Sequence, residues 1–169
     1  MAEELPKSEL EEICALLNAH HVSFILIGGQ AEYLFGSPRV TYDVDVCYQR
    51  TPENLDRLAA ALRQLDVSLR DAPPGLAFTI DARSLAFGSN FTLSTRFGSL
   101  DLIGYVEPIG TFDDLARSTT TLALGEQEVM VISLDDLIAI KRHIGRPKDK
   151  DSLHQLLAIK RAREETGLK

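Results

Sequence analysis

Residues 24–48 read FILIGGQAEYLFGSPRVTYDVDVCY, and the fold turns on how this stretch is parsed. Phe24-Ile25-Leu26-Ile27 is an apolar, partly β-branched run, too short for a buried helix, so a buried strand is expected. At Gly28-Gly29 the chain can turn sharply with its backbone bare. Gln30 to Phe35 then has the length of a short helix, closed by Gly36-Ser37-Pro38. Tyr42-Asp43-Val44-Asp45-Val46 alternates with period two, so a strand there puts Asp43 and Asp45 on one face and the valines on the other. Two carboxylates on one face of an apolar strand repel each other and are costly to desolvate. A bound divalent cation is the simplest compensation.

On the N-terminal side, Ser8 with Glu11 three residues later marks a helix start, and Leu10, Ile13, Leu16 and Leu17 give it an apolar stripe. His20 and His21 fall at its end, where a cation suits the helix dipole. On the C-terminal side, Thr51-Pro52-Glu53 opens a helix to about Gln64, with Leu55, Leu58, Ala59 and Leu62 as its stripe. A short strand is expected at 67–69, then a turn-rich loop over 71–81 with a little structure at 76–80. Residues 90–97 and 99–106 form two strands joined at Gly98, the second carrying Ser99-Leu100-Asp101-Leu102-Ile103. One helical turn at 112–116 and a hairpin of 119–124 with 128–131 follow. Ser133 caps a helix through His143, with Asp135 and Asp136 in its first turn and Lys141-Arg142-His143 in its last. Gly145-Arg146-Pro147 breaks it, and a last helix runs from about 149–152 to about 165.

A chain of 169 residues with 44% apolar and 25% charged residues suits one globular domain spanning 1–169, with a basic helical segment from about residue 134. No run approaches the roughly 18 apolar residues that span a bilayer. The acidic start MAEELPKSELEE lacks the apolar core of a secretory signal. Cys14 and Cys47 are isolated from each other and give neither a disulfide framework nor zinc spacing, so a cytoplasmic setting is expected. Net charge is −7, unevenly spread: residues 141–169 hold nine Lys/Arg against four acids, net +5, leaving −12 for the first 140. A basic end on an acidic body suits one compact polyanion such as a triphosphate better than a long nucleic-acid track. It is equally consistent with an ordinary solvated helix.

Three acids stand out: Asp43, Asp45 and Asp101. On neighbouring strands, roughly 4.8 Å apart, they would surround one point. That arrangement suits two magnesium ions about 3.5–4 Å apart in phosphoryl transfer, with water and phosphate completing their coordination. Gly28-Gly29, thirteen further residues, Asp43-Val44-Asp45 and a later Leu100-Asp101-Leu102 together resemble the nucleotidyltransferase superfamily that includes DNA polymerase beta. Within it, residues 39–45 (RVTYDVD) and 141–149 (KRHIGRPKD) resemble small bacterial AbiEii-type toxin nucleotidyltransferases.

The resemblance implies an α/β (α+β) fold with a mixed central sheet flanked by helices. It implies transfer of a nucleoside monophosphate from a nucleoside triphosphate, such as ATP, to a hydroxyl of RNA or tRNA, protein or a small molecule. It further implies that Asp43 and Asp45 hold two Mg2+ (or Mn2+) ions and that Asp101 ligates the catalytic ion and accepts the hydroxyl proton. Gly28, Gly29 and Gln30 would face the triphosphate, and Arg39, Lys141, Arg146 and Lys148 would neutralise it. An antitoxin partner is implied as well, and no membrane. The tail departs from the pattern once: the Asp expected three residues after Asp149 is Ser152, with Asp151 one place early. Two rivals stand beside the enzyme: a silent nucleotide- or partner-binding module, and an antitoxin-type regulatory subunit. Three mutually repelling carboxylates argue against the silent module.

Overall fold

The computed structural model describes residues 6–167 apart from Pro74 and Ala77; residues 1–5 of the acidic start and Lys169 of the basic end lie outside it. Seven strands form one sheet in the order β3-β4-β5-β2-β1-β7-β6. In its interior, beside the central strand, β1 (Phe24–Ile27) is buried at all four positions, which requires cover on both faces. It pairs antiparallel with β2 (Val44–Tyr48) and parallel with β7 (Gln127–Val131). β2 in turn pairs parallel with β5 (Gly98–Ile103). β4 (Phe91–Thr95), the two-residue edge strand β3 (Ser68–Leu69) and β6 (Thr120–Leu124) complete the mixed sheet. The expected α/β fold is the observed one.

The helices form where their caps and stripes call for them. Ser8 accepts a hydrogen bond from the Glu11 amide at the start of α1 (Glu9–Ala19), which buries Leu10, Ile13, Cys14 and Leu17. Thr51 caps α3 (Pro52–Gln64) in the same way, and the expected stripe of Leu55, Leu58, Ala59 and Leu62 is buried. Asn54 on α3 is itself buried. Its carboxamide accepts from the Ser23 amide and donates to the carbonyls of Ser23 and Gln49, pinning the start of β1 to the end of β2. Ser133 caps α6 (Leu134–Ile144), Gly145 ends it in the left-handed conformation, and α7 (Pro147–Glu165) follows at once. The remaining helices are α2 (Gly28–Leu34), α4 (Ala82–Phe87) and α5 (Phe112–Ala116).

Several boundaries differ from the sequence reading, each for a physical reason. Gly28 and Gly29 form the first turn of α2, because Ile27 serves as both strand end and N-cap. β2 starts at Val44, so Asp43 lies ahead of the strand. The β4–β5 turn falls at Arg96-Phe97, and Gly98 is paired with Thr95. Pro147 does not precede the last helix but opens it, where a missing N–H costs nothing. α4 was not expected; Asp81 caps it by accepting from the Ser84 amide. Among the described residues of 76–80 there is no strand.

Candidate active site

In the parallel β2–β5 pair Asp45 stands directly beside Asp101, and across β1 it stands beside Ile27. The row extends further, since Asp101 pairs with Thr92 of β4 and the Arg70 amide donates to the Thr92 carbonyl at 2.9 Å. Laterally adjacent positions share a sheet face, so Arg70, Thr92, Asp101 and Asp45 lie in one row. The Arg70 guanidinium consequently lies against Asp101 and near Asp43. Its Nη2 donates to Asp101 Oδ1 and its Nη1 is 3.9 Å from Asp43 Oδ1, while its Nε is buried without a partner. Nothing in the sequence marks Arg70, because its role depends on the register of two intervening strands.

Burial, then the charge of Asp101 and a hydrogen bond with it, then Asp43, push the Asp45 carboxyl up from 3.8 to about 7, with Arg70 acting the other way. Gly28 lies beneath this carboxyl at φ +68, where a Cβ would collide with Asp45 Oδ2. Gly28 is therefore required twice, by its conformation and by the close approach. A Cβ on Gly29 would come 2.9 Å from Thr41 Cγ2, so this glycine makes room for Thr41.

A cleft of about 360 Å³ opens beside Asp45, and its lining includes Gly28, Gly29, Arg39, Lys141, Arg146 and Lys148. Asp43, Asp101 and Gln30 are not among its lining residues. Gln30 instead donates to the Thr41 carbonyl at 3.1 Å, holding the 36–43 segment against α2. Val106, Leu137, Ile140 and Ile144 make one side of the cleft apolar.

Its cations divide into two pairs. Lys141 Nζ is 3.0 Å from Glu32 Oε1 and 3.4 Å from Asp149 Oδ1, and both acids are almost fully buried. Arg146 Nε donates to Asp149 Oδ2 at 2.7 Å, and that bond above all, with Lys141 behind it, holds the Asp149 carboxyl below its ordinary range. Arg39 and Lys148, by contrast, show no acidic partner among the described residues. Arg39 Nη1 donates to the buried Ser152 hydroxyl at 2.8 Å. The departing tail position therefore meets a cation of the cleft wall, while Asp151 is exposed. A neutral hydroxyl there leaves the Arg39 charge uncompensated.

Asp43, Asp45 and Asp101 are hard oxygen donors suited to Mg2+ or Mn2+, and a cation, the Arg70 guanidinium, already sits against two of them. Their chemistry fits a divalent ion. No group of three or more His, Cys, Asp or Glu among the described residues is gathered closely enough to hold one. Both cysteines are free and buried, with thiols pushed up to about 12 by burial, so neither is poised as a nucleophile. No described helix is long and apolar enough to cross a membrane.

No protein-family model and no curated protein matches the chain. Solved structures do. A lincosamide antibiotic adenylyltransferase, LnuA, with lincomycin bound is 18% identical at a TM-score of 0.57, covering 89% of this chain and 96% of its own. ANT(2")-Ia in complex with adenylyl-2"-tobramycin is 14% identical at 0.58, covering 88% and 86%. An antigenic nucleotidyltransferase-like protein from Paracoccidioides brasiliensis is 19% identical at 0.54, covering 92% and 78%. At these identities the likeness is one of fold: the chain has the nucleotidyltransferase fold.

Proposed function

We propose that the protein is a metal-dependent nucleotidyltransferase that moves a nucleoside monophosphate from a nucleoside triphosphate to a hydroxyl acceptor. The observation that carries this reading is the register against Asp101 of Asp45, which lines a cleft whose wall includes Arg39, Lys141, Arg146 and Lys148. Asp43, Asp45 and Asp101 would ligate magnesium, two ions by analogy with the fold, or manganese in its place. Bound there, the ions would neutralise developing charge on the transferred phosphoryl group and raise the acidity of the acceptor hydroxyl. Arg39 and Lys148 take the triphosphate, since their charges are not already balanced within the protein. Lys141 and Arg146 act one step back, fixing Asp149 and the start of α7 as the cleft wall. Asp101, freed from Arg70 and beside the ions, would receive the hydroxyl proton.

The bare backbone at Gly28 and Gly29 belongs to the cleft, whereas Gln30 shapes its rim through Thr41. A small-molecule hydroxyl is the favoured acceptor. The acidic body disfavours extended nucleic acid, and two of the solved neighbours carry an antibiotic or its adenylyl derivative. We further take the chain as one nucleotidyltransferase-like domain in the cytoplasm, supported by one continuous core and two unpaired buried cysteines. A toxin role with an antitoxin partner rests on the sequence of residues 39–45 and 141–149 alone. The test is incubation with each α-labelled triphosphate, magnesium, and either lysate or a panel of polyhydroxylated small molecules. Label appearing in a small-molecule fraction supports the reading; label in tRNA or one protein moves the acceptor class; absence of label with every donor and acceptor overturns the enzyme.

A further inference from the structure

We propose that Arg70 is an internal counter-cation that closes the carboxylate site and must withdraw for a divalent ion to enter. The inference rests on the metal-site reading above and adds a residue to it. Arg70 pairs with Asp101, the neighbour of Asp45 in the row, and reaches toward Asp43, which precedes β2. A guanidinium and a divalent ion compete for the same oxygen lone pairs, and the acids cannot close around an ion while the guanidinium is between them.

Among the described residues one carboxylate, Asp101, accepts a hydrogen bond from the Arg70 side chain. Its Nε is buried with no acceptor, and its side chain reaches Asp43 at only 3.9 Å. Arg50, by comparison, donates to the Tyr48 hydroxyl and to the carbonyls of Ala86 and Gly88. Arg70 also follows the two-residue edge strand β3, and Asp71 after it takes a left-handed backbone at φ +62, so the chain turns away from the sheet at once. A singly charged group with one orphaned donor yields to a doubly charged ion. In the metal-free protein it keeps the acids from repelling one another.

The experiment is a Mn2+ titration of the full chain at pH 8, followed by electron paramagnetic resonance and by thermal melts, on wild type, Arg70→Gln and Arg70→Lys. Arg70→Gln is expected to bind Mn2+ about tenfold more tightly than wild type, to melt lower without metal, and to gain more on Mn2+ addition. Arg70→Lys should fall between. Equal or weaker Mn2+ affinity in Arg70→Gln overturns the displacement while leaving the metal site standing. Failure of wild type and variants alike to bind Mn2+, with a non-hydrolysable triphosphate present, removes the metal site and this inference with it. A second measurement needs no folded variant. The Arg70 Nε–H resonance of isotope-labelled wild type should shift on Mg2+ addition while that of Arg50 stays in place. An Arg70 resonance unmoved at saturating Mg2+ overturns the proposal.

Discussion

Replacing Lys141 with Met should unfold the protein more readily than it damages nucleotide binding. Lys141 is the cation between Glu32 and Asp149, whose side chains are 2% and 1% exposed. Asp149 keeps Arg146, but Glu32 Oε1 has no hydrogen-bond partner and depends on the ammonium alone. Breaking a buried ion pair by removing one partner costs about 3–5 kcal/mol; here the 14% exposed Lys141 and the remaining Arg146 bring the expected loss to about 2–3 kcal/mol. For a chain of this length that corresponds to a melting point lower by roughly 5–10 °C. The assay is urea and thermal denaturation of wild type, Lys141→Met, Glu32→Gln and the double variant. Because a carboxamide in place of the Glu32 carboxylate carries no uncompensated charge, the double variant should recover more than half of the loss. A single-variant loss under about 0.5 kcal/mol, or a double variant no more stable than Lys141→Met, refutes this account of the cleft wall.

Arg39→Met, at a guanidinium without an acidic partner, should weaken triphosphate binding about tenfold with a melting point within about 2 °C of wild type, read by calorimetry and thermal melts. Asp45 prefers to be neutral in the fold, with its carboxyl at about 7 against an ordinary 3.8. Its stabilising contribution is therefore complete below about pH 4 and lost as pH rises through 7. In metal-free buffer the wild type should melt higher at pH 5.5 than at pH 8.5, and Asp45→Asn should flatten that difference; equal slopes in the two proteins would discount it. Gly28→Ala combines a left-handed backbone with a clash against Asp45, so it should cost more stability in denaturant titration than Gly29→Ala, which only crowds the Thr41 methyl. The reverse order would mean that Asp45 is not seated over Gly28.

Much of this architecture was legible because the signals are local. The run Phe24–Ile27, the caps Ser8, Thr51 and Ser133, and the stripe on α3 each specify their element within a few residues. The sequence brought Asp43, Asp45 and Asp101 around one point only on condition that their strands were neighbours, and β2 and β5 do pair, with Asp45 beside Asp101. Arg70 was invisible for the opposite reason. It reaches Asp101 only because β3 and β4 add to the sheet in one register, and register is a property of pairings far apart in the chain. Ser152 and Gly29 show the same limit. Spacing flagged Ser152 as a departure, yet only packing brings it to Arg39, and only packing sets Thr41 against Gly29. α4 escaped because six residues carry too little periodicity to stand out from a loop.

The central claim is that Asp101 works on the reacting atoms through a bound divalent ion and is not needed for the fold. The decisive measurement is magnesium-dependent release of pyrophosphate from the preferred triphosphate, with acceptor, by wild type and Asp101→Asn, alongside triphosphate titration and melts of both. Losing one metal-ligating carboxylate removes about 3–4 kcal/mol of transition-state stabilisation, so turnover should fall by about two to three orders of magnitude. Triphosphate affinity should change less than threefold, and saturating Mg2+ should raise the melting point of wild type more than that of the variant. Undiminished turnover in Asp101→Asn, together with a wild-type melt that magnesium and triphosphate leave unmoved, would contradict the account.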